Sequence, residues 1–192
     1  MHTLDTGKAF RRVFSELVDG TNPKGGYVLN TGDIGLLQSL DKISAEDASR
    51  AVNGGATIAA HAQHLRYGLS LMNEWAAKGG NPFANAKWDE AWKMSAVNDA
   101  QWREIQAGLR NETTQWLEVL KAPREMSSVE LTGLVGSIAH LAYHLGAIRQ
   151  INKDADREKE RLSSLLVPRA GLEIVEANQV DVLARPMLRD LQ

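Results

Sequence analysis

Apolar residues recur along this chain at the three-and-four spacing of an amphipathic helix, in stretches separated by residues that stop helices. The first stretch runs from about Asp5 to Val18, with Ala9, Phe10, Val13, Phe14 and Leu17 on one face. Gly20, Pro23, Gly25 and Gly26 then interrupt it, since glycine and proline gather where helices cannot continue. Ile34 to Ile43 predicts a short helix, and a polar connector follows through Asn53. The next stretch, from about Ala56 to Ala77, carries Ile58, Ala62, Leu65, Leu69 and Met72 as a continuous stripe. Gly79, Gly80 and Pro82 end it.

Phe83 to Val97 reads as a long connection that carries Trp88 and Trp92. Asn98, with Gln101 three residues on, has the form of a capping box and opens a third long helix that reaches Leu120 and stops before Pro123. Ser127 and Glu130 repeat that form and open a fourth, which reaches Ile151 or beyond. Three or four long helices without a convincing strand before residue 165 imply an all-α bundle. A helical domain over 1–165 is therefore expected, with 166–192 as a short irregular C-terminal extension. That tail alternates partly around Leu172, Ile174 and Val175 and again around Val180, Val182 and Leu183. It is too apolar to hang in solvent, and is expected to pack on its own bundle or on a second copy in a homodimer.

Composition narrows the function more than the fold. The chain has 192 residues, 43% of them hydrophobic and 24% charged, which is ordinary for one globular domain. Its 22 basic and 24 acidic residues leave a net charge of −2 and form no like-charge block, so neither nucleic acid nor an anionic membrane is expected as a partner. The N-terminal residues lack the apolar run of a signal peptide, and no uninterrupted apolar stretch approaches the ~18 residues of a membrane span. A cytoplasmic protein is expected. There is no cysteine. Disulfides, thiolate ligands and a cysteine nucleophile are thereby removed together. Any metal must be held by histidine and carboxylate, and any thiol chemistry must use a thiol that arrives with the substrate.

The histidines are where chemistry concentrates. His140 and His144 stand four apart in the fourth helix, hence on the same face, with Cβ atoms roughly 5–6 Å apart. Two imidazoles so placed can share one ion, at about 2.0–2.1 Å from each nitrogen for zinc. The second helix offers His61 and His64 as a third ligand. At about 100° per residue, His64 lies roughly 120° from Ile58. With Ile58 and Ile138 taken as the apolar centres of their helices, His144 lies roughly 120°, and His140 roughly 160°, to the same side of Ile138. His61 lies nearer the apolar centre of its helix, at about 60°. Angle alone leaves His61 and His64 both open. His2 is terminal.

Two segments resemble those of the DinB-like (YfiT-like) superfamily, four-helix-bundle proteins to which metal-dependent activity is ascribed. Thr57, Ile58, His64 and Leu65 match its second-helix pattern of threonine, hydrophobic residue and His-Leu. His140 to Ile148, His-Leu-Ala-Tyr-His-Leu-Gly-Ala-Ile, matches its fourth-helix His-x3-His pair and the small and branched residues after it. The resemblance spans about Asp5 to Ile151. It implies a DinB-like four-helix bundle, with His64, His140 and His144 holding a divalent metal; zinc or nickel is expected because both accept imidazole. It places His61 in the second shell or the core.

Three neutral imidazoles leave the ion its full charge and open positions. Such a site acidifies a bound water from about 15.7 toward 7, or holds a substrate thiol as thiolate. The resemblance therefore implies a metal-dependent enzyme of hydrolase or thiol-dependent transferase type, acting on a small molecule and in the second case on a low-molecular-weight thiol. The alternative is a metal-binding or structural dimeric bundle without turnover.

Other residues have both a chemical and a plain reading. Trp88 and Trp92 wall a pocket above the metal or simply pack, as Trp75, Trp102 and Trp116 do. Arg66 and Arg149 bind an anionic substrate group or lie in a solvated face. Glu104, Glu112 and Glu118 offer a general base or remain surface carboxylates. No phosphate loop, nucleophile elbow or HExxH signature is present.

Overall fold

The computed structural model describes residues 3–121 and 127–166, with side chains from Thr6 onward in the first stretch and to Leu162 in the second. Among them all regular structure is helical: α1 (Thr3–Asp19), α2 (Leu36–Asp41), α3 (Ala45–Ala48), α4 (Ile58–Lys78), α5 (Trp88–Ala91), α6 (Asp99–Val119) and α7 (Ser128–Leu166). A single 3-10 turn, Pro82–Asn85, precedes α5. The chain divides into two compact units, Met1–Arg157 and Glu158–Gln192. Of the second only 158–166 is described, as the last part of α7. The anticipated tail, with its alternating Leu172–Val175 and Val180–Leu183, lies outside the described residues.

The long helices start where side chains offer backbone N–H groups an acceptor. Thr57 Oγ1 accepts from Ala60 N at the head of α4. Asn98 and Gln101 close a reciprocal capping box on α6, at 2.9 and 3.0 Å. Ser127 and Glu130 do the same before α7, at 2.8 and 3.2 Å. The α4 helix stops at Gly79, whose φ of +69° turns the chain away while its N–H still bonds Trp75 O.

One core takes residues from α1 (Phe14, Leu17, Val18), α2 (Leu36, Leu37, Leu40), α4 (Ile58, Ala62, Leu65, Leu69, Met72), α6 (Trp102, Ile105, Leu109, Trp116) and α7 (Leu134, Leu141, Leu145, Ile148). Burying each large side chain stabilises by about 1.5–3 kcal/mol. The apolar stripe expected on α4 is the buried one.

Two connections for which the sequence predicts no regular element are built. The α1–α2 segment folds back on Glu16, whose carboxylate accepts from Tyr27, Val28 and Leu29 N–H at 2.7–2.8 Å. Gly26 passes so close to this carboxylate that a Cβ there would overlap it. Gly20, at φ +103°, would place a Cβ 2.8 Å from Asp33 O, so a larger residue is excluded twice over. The Phe83–Val97 connection contains a helical turn that periodicity cannot detect, because α5 has only four residues. It is tied down at both ends: Tyr67 Oη accepts from Lys87 N at 2.9 Å, and Ser49 Oγ from Val97 N at 2.9 Å. That tether sets Trp88 and Trp92 against α4.

Candidate metal centre

His61 and His64 come from the second turn of α4, and His140 and His144 from the middle of α7. The face of α7 that enters the core differs from the expected one. Leu134, Leu141, Leu145 and Ile148 are buried, whereas Ile138 is only partly so. Measured from Leu141 at about 100° per residue, His144 lies about 60° and His140 about 100° from the buried centre. That rotation explains why His144 is 2% exposed while His140 is half-buried.

His64, His140 and His144 each turn one ring nitrogen toward a common point, all within 4.8 Å of one another, an arrangement that could hold a metal ion. His140 Nε2 is 3.0 Å from His64 Nε2 and 2.9 Å from His144 Nε2. A neutral imidazole nitrogen carries either one hydrogen or one in-plane lone pair. His140 Nε2 can therefore form one linear hydrogen bond with these neighbours, and no choice of tautomers gives two. Three lone pairs turned on one point suit a cation better than they suit each other.

His61 does not join that point. Its Nδ1 lies 2.7 Å from His144 Nδ1, on the far side of the His144 ring from Nε2. His64 has no such support, since its Nδ1 is buried without a hydrogen-bond partner. Packing orients that ring instead. Trp92 stacks on His64 at 4.3 Å between centroids, and Trp88 tilts against it at 5.4 Å. Trp92 also meets His61 edge-on at 5.2 Å. The two tryptophans, which sequence left between pocket wall and packing, thus cover the imidazoles.

The surroundings keep these rings neutral. Burial, followed by repulsion from His140 and His61, pushes His64 down to about 4. Burial, with the neighbouring histidines, pushes His144 down to about 3. Burial also lowers His61 and His140. A charged imidazolium is disfavoured in this setting, so the lone pairs stay free at neutral pH.

Beside the cluster is a cavity of about 560 Å³, lined mainly by apolar side chains of α4, α7 and the segment between Gly80 and Trp88, with His140 in its wall. Among the titratable residues named from sequence, His140 alone lines it. Arg149 is bonded to Asp33 at 3.2 Å and to Ile34 O, and holds the α1–α2 segment rather than the cluster. Arg66 pairs with Glu104 at 3.5 Å. Glu112 is bonded to Asn73 at 2.7 Å, and Glu118 is exposed beside Lys121. None of these carboxylates belongs to the histidine cluster. Trp102 donates to Ile43 O at 2.8 Å and Trp116 is fully buried, while Trp75 lines the cavity.

Of the two tryptophans read as pocket wall or packing, Trp88 lines this cavity and Trp92 does not, and sequence reasoning did not place the cavity between α4 and α7. Its signal was the row Gly133, Gly136, Ser137 and His140 on one face of α7, opposite Gly68 of α4. It also passed over Glu16, an ordinary-looking glutamate until the segment that it binds is in place. Comparison with family models, with curated proteins and with solved structures finds no match to this chain.

Proposed function

We propose that this chain is a DinB-like four-helix bundle holding a divalent metal, zinc or nickel, on His64, His140 and His144, and that it is a metal-dependent enzyme. The observation that carries this reading is the convergence of three imidazole nitrogens that no tautomer satisfies. Nitrogens about 2.0–2.1 Å from one ion lie about 2.8–3.0 Å apart at right angles and about 3.3–3.4 Å apart in a tetrahedron; the two separations at His140 fall at the first and short of the second. Such an ion supplies Lewis acidity, lowering the pKa of a water or thiol bound to it. The chain supplies the rest. Neutral imidazoles leave the cation's charge uncompensated, His61 engages the outer nitrogen of His144, and Trp88 and Trp92 exclude bulk water from one side.

The rival is a bundle that binds metal without turnover. What favours an enzyme is the cavity reaching His140, because catalysis needs a concave, accessible approach to the metal. Protein purified without an affinity tag is expected to carry close to one divalent ion per chain, and His144→Ala to lose most of it. Equal metal in the two by elemental analysis rules the site out.

Hydrolysis and thiol transfer are separated by cobalt substitution. A thiol-dependent enzyme gives a sulfur-to-metal charge-transfer band when low-molecular-weight thiols are added, in wild type and not in His140→Ala. If no thiol produces the band, hydrolysis and the bundle without turnover remain, and a screen for ester and amide turnover separates them.

A further inference from the structure

The cavity between α4 and α7 has a chemistry of its own. Leu65, Leu69, Met72, Trp75, Phe83 and Trp88 dominate its lining, and among the described residues no Asp, Glu, Lys or Arg lines it. Its polar side chains are few: Ser137, whose Oγ donates to Leu134 O at 2.8 Å, Asn81, whose Oδ1 accepts from Phe83 N at 3.2 Å, and His140 of the cluster. The two arginines nearest the histidines in sequence are committed to Glu104 and Asp33. An anionic or cationic group entering this space would be desolvated without a partner, which is strongly disfavoured.

Gly68, Gly133 and Gly136 line this space. A Cβ on Gly136 would meet nothing within 4 Å, and one on Gly68 would touch the His140 ring and Trp88 at 3.8 Å. His140 stands one helical turn beyond Gly136, so the apolar space is continuous with the imidazole cluster. A volume of about 560 Å³ falls within the range of small-molecule sites, roughly 300–1,000 Å³.

We propose that the substrate carries an uncharged apolar body, an acyl chain or aryl group, which occupies this cavity and brings its reacting head to His140. That the head meets a metal rests on the proposed function; that the cavity takes a neutral apolar body does not. The two are therefore tested by different probes on the full chain.

For the cavity the probe is 1-octanol on metal-free protein, where no cation holds a charged head group, followed by calorimetry and by the fluorescence of Trp75 and Trp88. Saturable binding is expected, at least tenfold tighter than for octanoate or octylamine. Gly136→Leu fills the open space and replaces glycine with a better helix former, so it folds, and it is expected to weaken octanol at least tenfold. His144→Ala is expected to bind octanol as wild type does. No saturable octanol binding, equal binding of the charged analogues, or an unaffected Gly136→Leu each overturns the proposal.

For the link to the metal, the metal-loaded protein is titrated with octanohydroxamate and acetohydroxamate. The longer probe is expected to bind at least tenfold tighter in wild type, an advantage lost in Gly136→Leu. If both hydroxamates bind equally to wild type, the cavity does not lead to the metal and the proposal falls. If octanol behaves as expected but neither hydroxamate responds to metal, it is the metal site that fails, and the neutral cavity stands.

Discussion

At His144 the question is which ring nitrogen holds the proton. A ring that offers Nε2 to a cation must keep its hydrogen on Nδ1, and the acceptor within reach of that hydrogen is His61 Nδ1 at 2.7 Å. His61 then carries its own hydrogen on Nε2. In the proposed site His61 is a positioning residue. Losing such an outer partner weakens metal binding by about 10–100-fold. Chelator competition is expected to show that loss in His61→Ala, with partial recovery in His61→Gln, whose amide oxygen can accept. Wild-type affinity in His61→Ala would leave the His61–His144 contact without a role in holding metal.

Glu16 makes a second residue-scale prediction. Burial works to raise its pKa, yet three backbone N–H donors and Arg12 prevail and hold it below the ordinary 4.5. A carboxyl lowered on folding stabilises the fold fully above its unfolded value, about 4.3, and loses that contribution as pH falls through the lower folded value. Urea unfolding at pH 7 is expected to find Glu16→Gln less stable by about 1–3 kcal/mol. The gap between the two proteins should narrow as pH falls through about 4.3 and close once pH is below the lowered folded value. A gap independent of pH would mean that the charge on Glu16 is irrelevant to its three hydrogen bonds.

Among the elements, the long helices and the connections are specified in different ways. The α6 helix carries its own start signal, and Asn98→Ala is expected to lower stability by about 1 kcal/mol through loss of the cap, read as a shifted urea midpoint with unchanged slope. The four residues of α5 carry no comparable signal. The connection that contains them is held at Lys87 and Val97 by partners far along the chain, Tyr67 and Ser49, and it lays Trp88 and Trp92 on the imidazoles. Trp92→Ala is therefore expected to increase solvent access to His64, seen as faster reaction of its ring with diethyl pyrocarbonate in metal-free protein. Unchanged reactivity would show that Trp92 packs without shielding.

For the molecule as a whole, α7 is the element with the most demands on it. It supplies two histidines, four core residues and one wall of the cavity. Its span Ser128–Leu162 is also long and apolar enough to cross a membrane by length and composition, with 28% of its most apolar window buried. Val129, Leu131, Val135 and Tyr143 remain exposed on it. The sequence led us to expect a homodimer, and these residues keep that proposal open within the described chain. Light scattering on the full protein decides it: twice the chain mass supports a dimer, and a single chain mass removes it.

Helix periodicity, capping boxes and glycine stops are local features, and residues close in sequence were enough to expect helices over the stretches that became α1, α4, α6 and α7. The pairing of His140 with His144 is equally local, since four residues place two side chains on one face of any helix. What lay beyond the sequence was phase. The α7 helix is apolar on more than one side, and only packing against α4 selected Leu141 over Ile138 as its inward centre and so turned His144 into the core. On α4 both His61 and His64 are buried, so burial could not rank them. Their roles were decided by which nitrogen each ring presents once α7 lies alongside. Glu16, α5 and the cavity have the same cause. Each depends on groups brought together across many residues of chain, and no local pattern encodes a contact whose other half is set by the packing of distant helices.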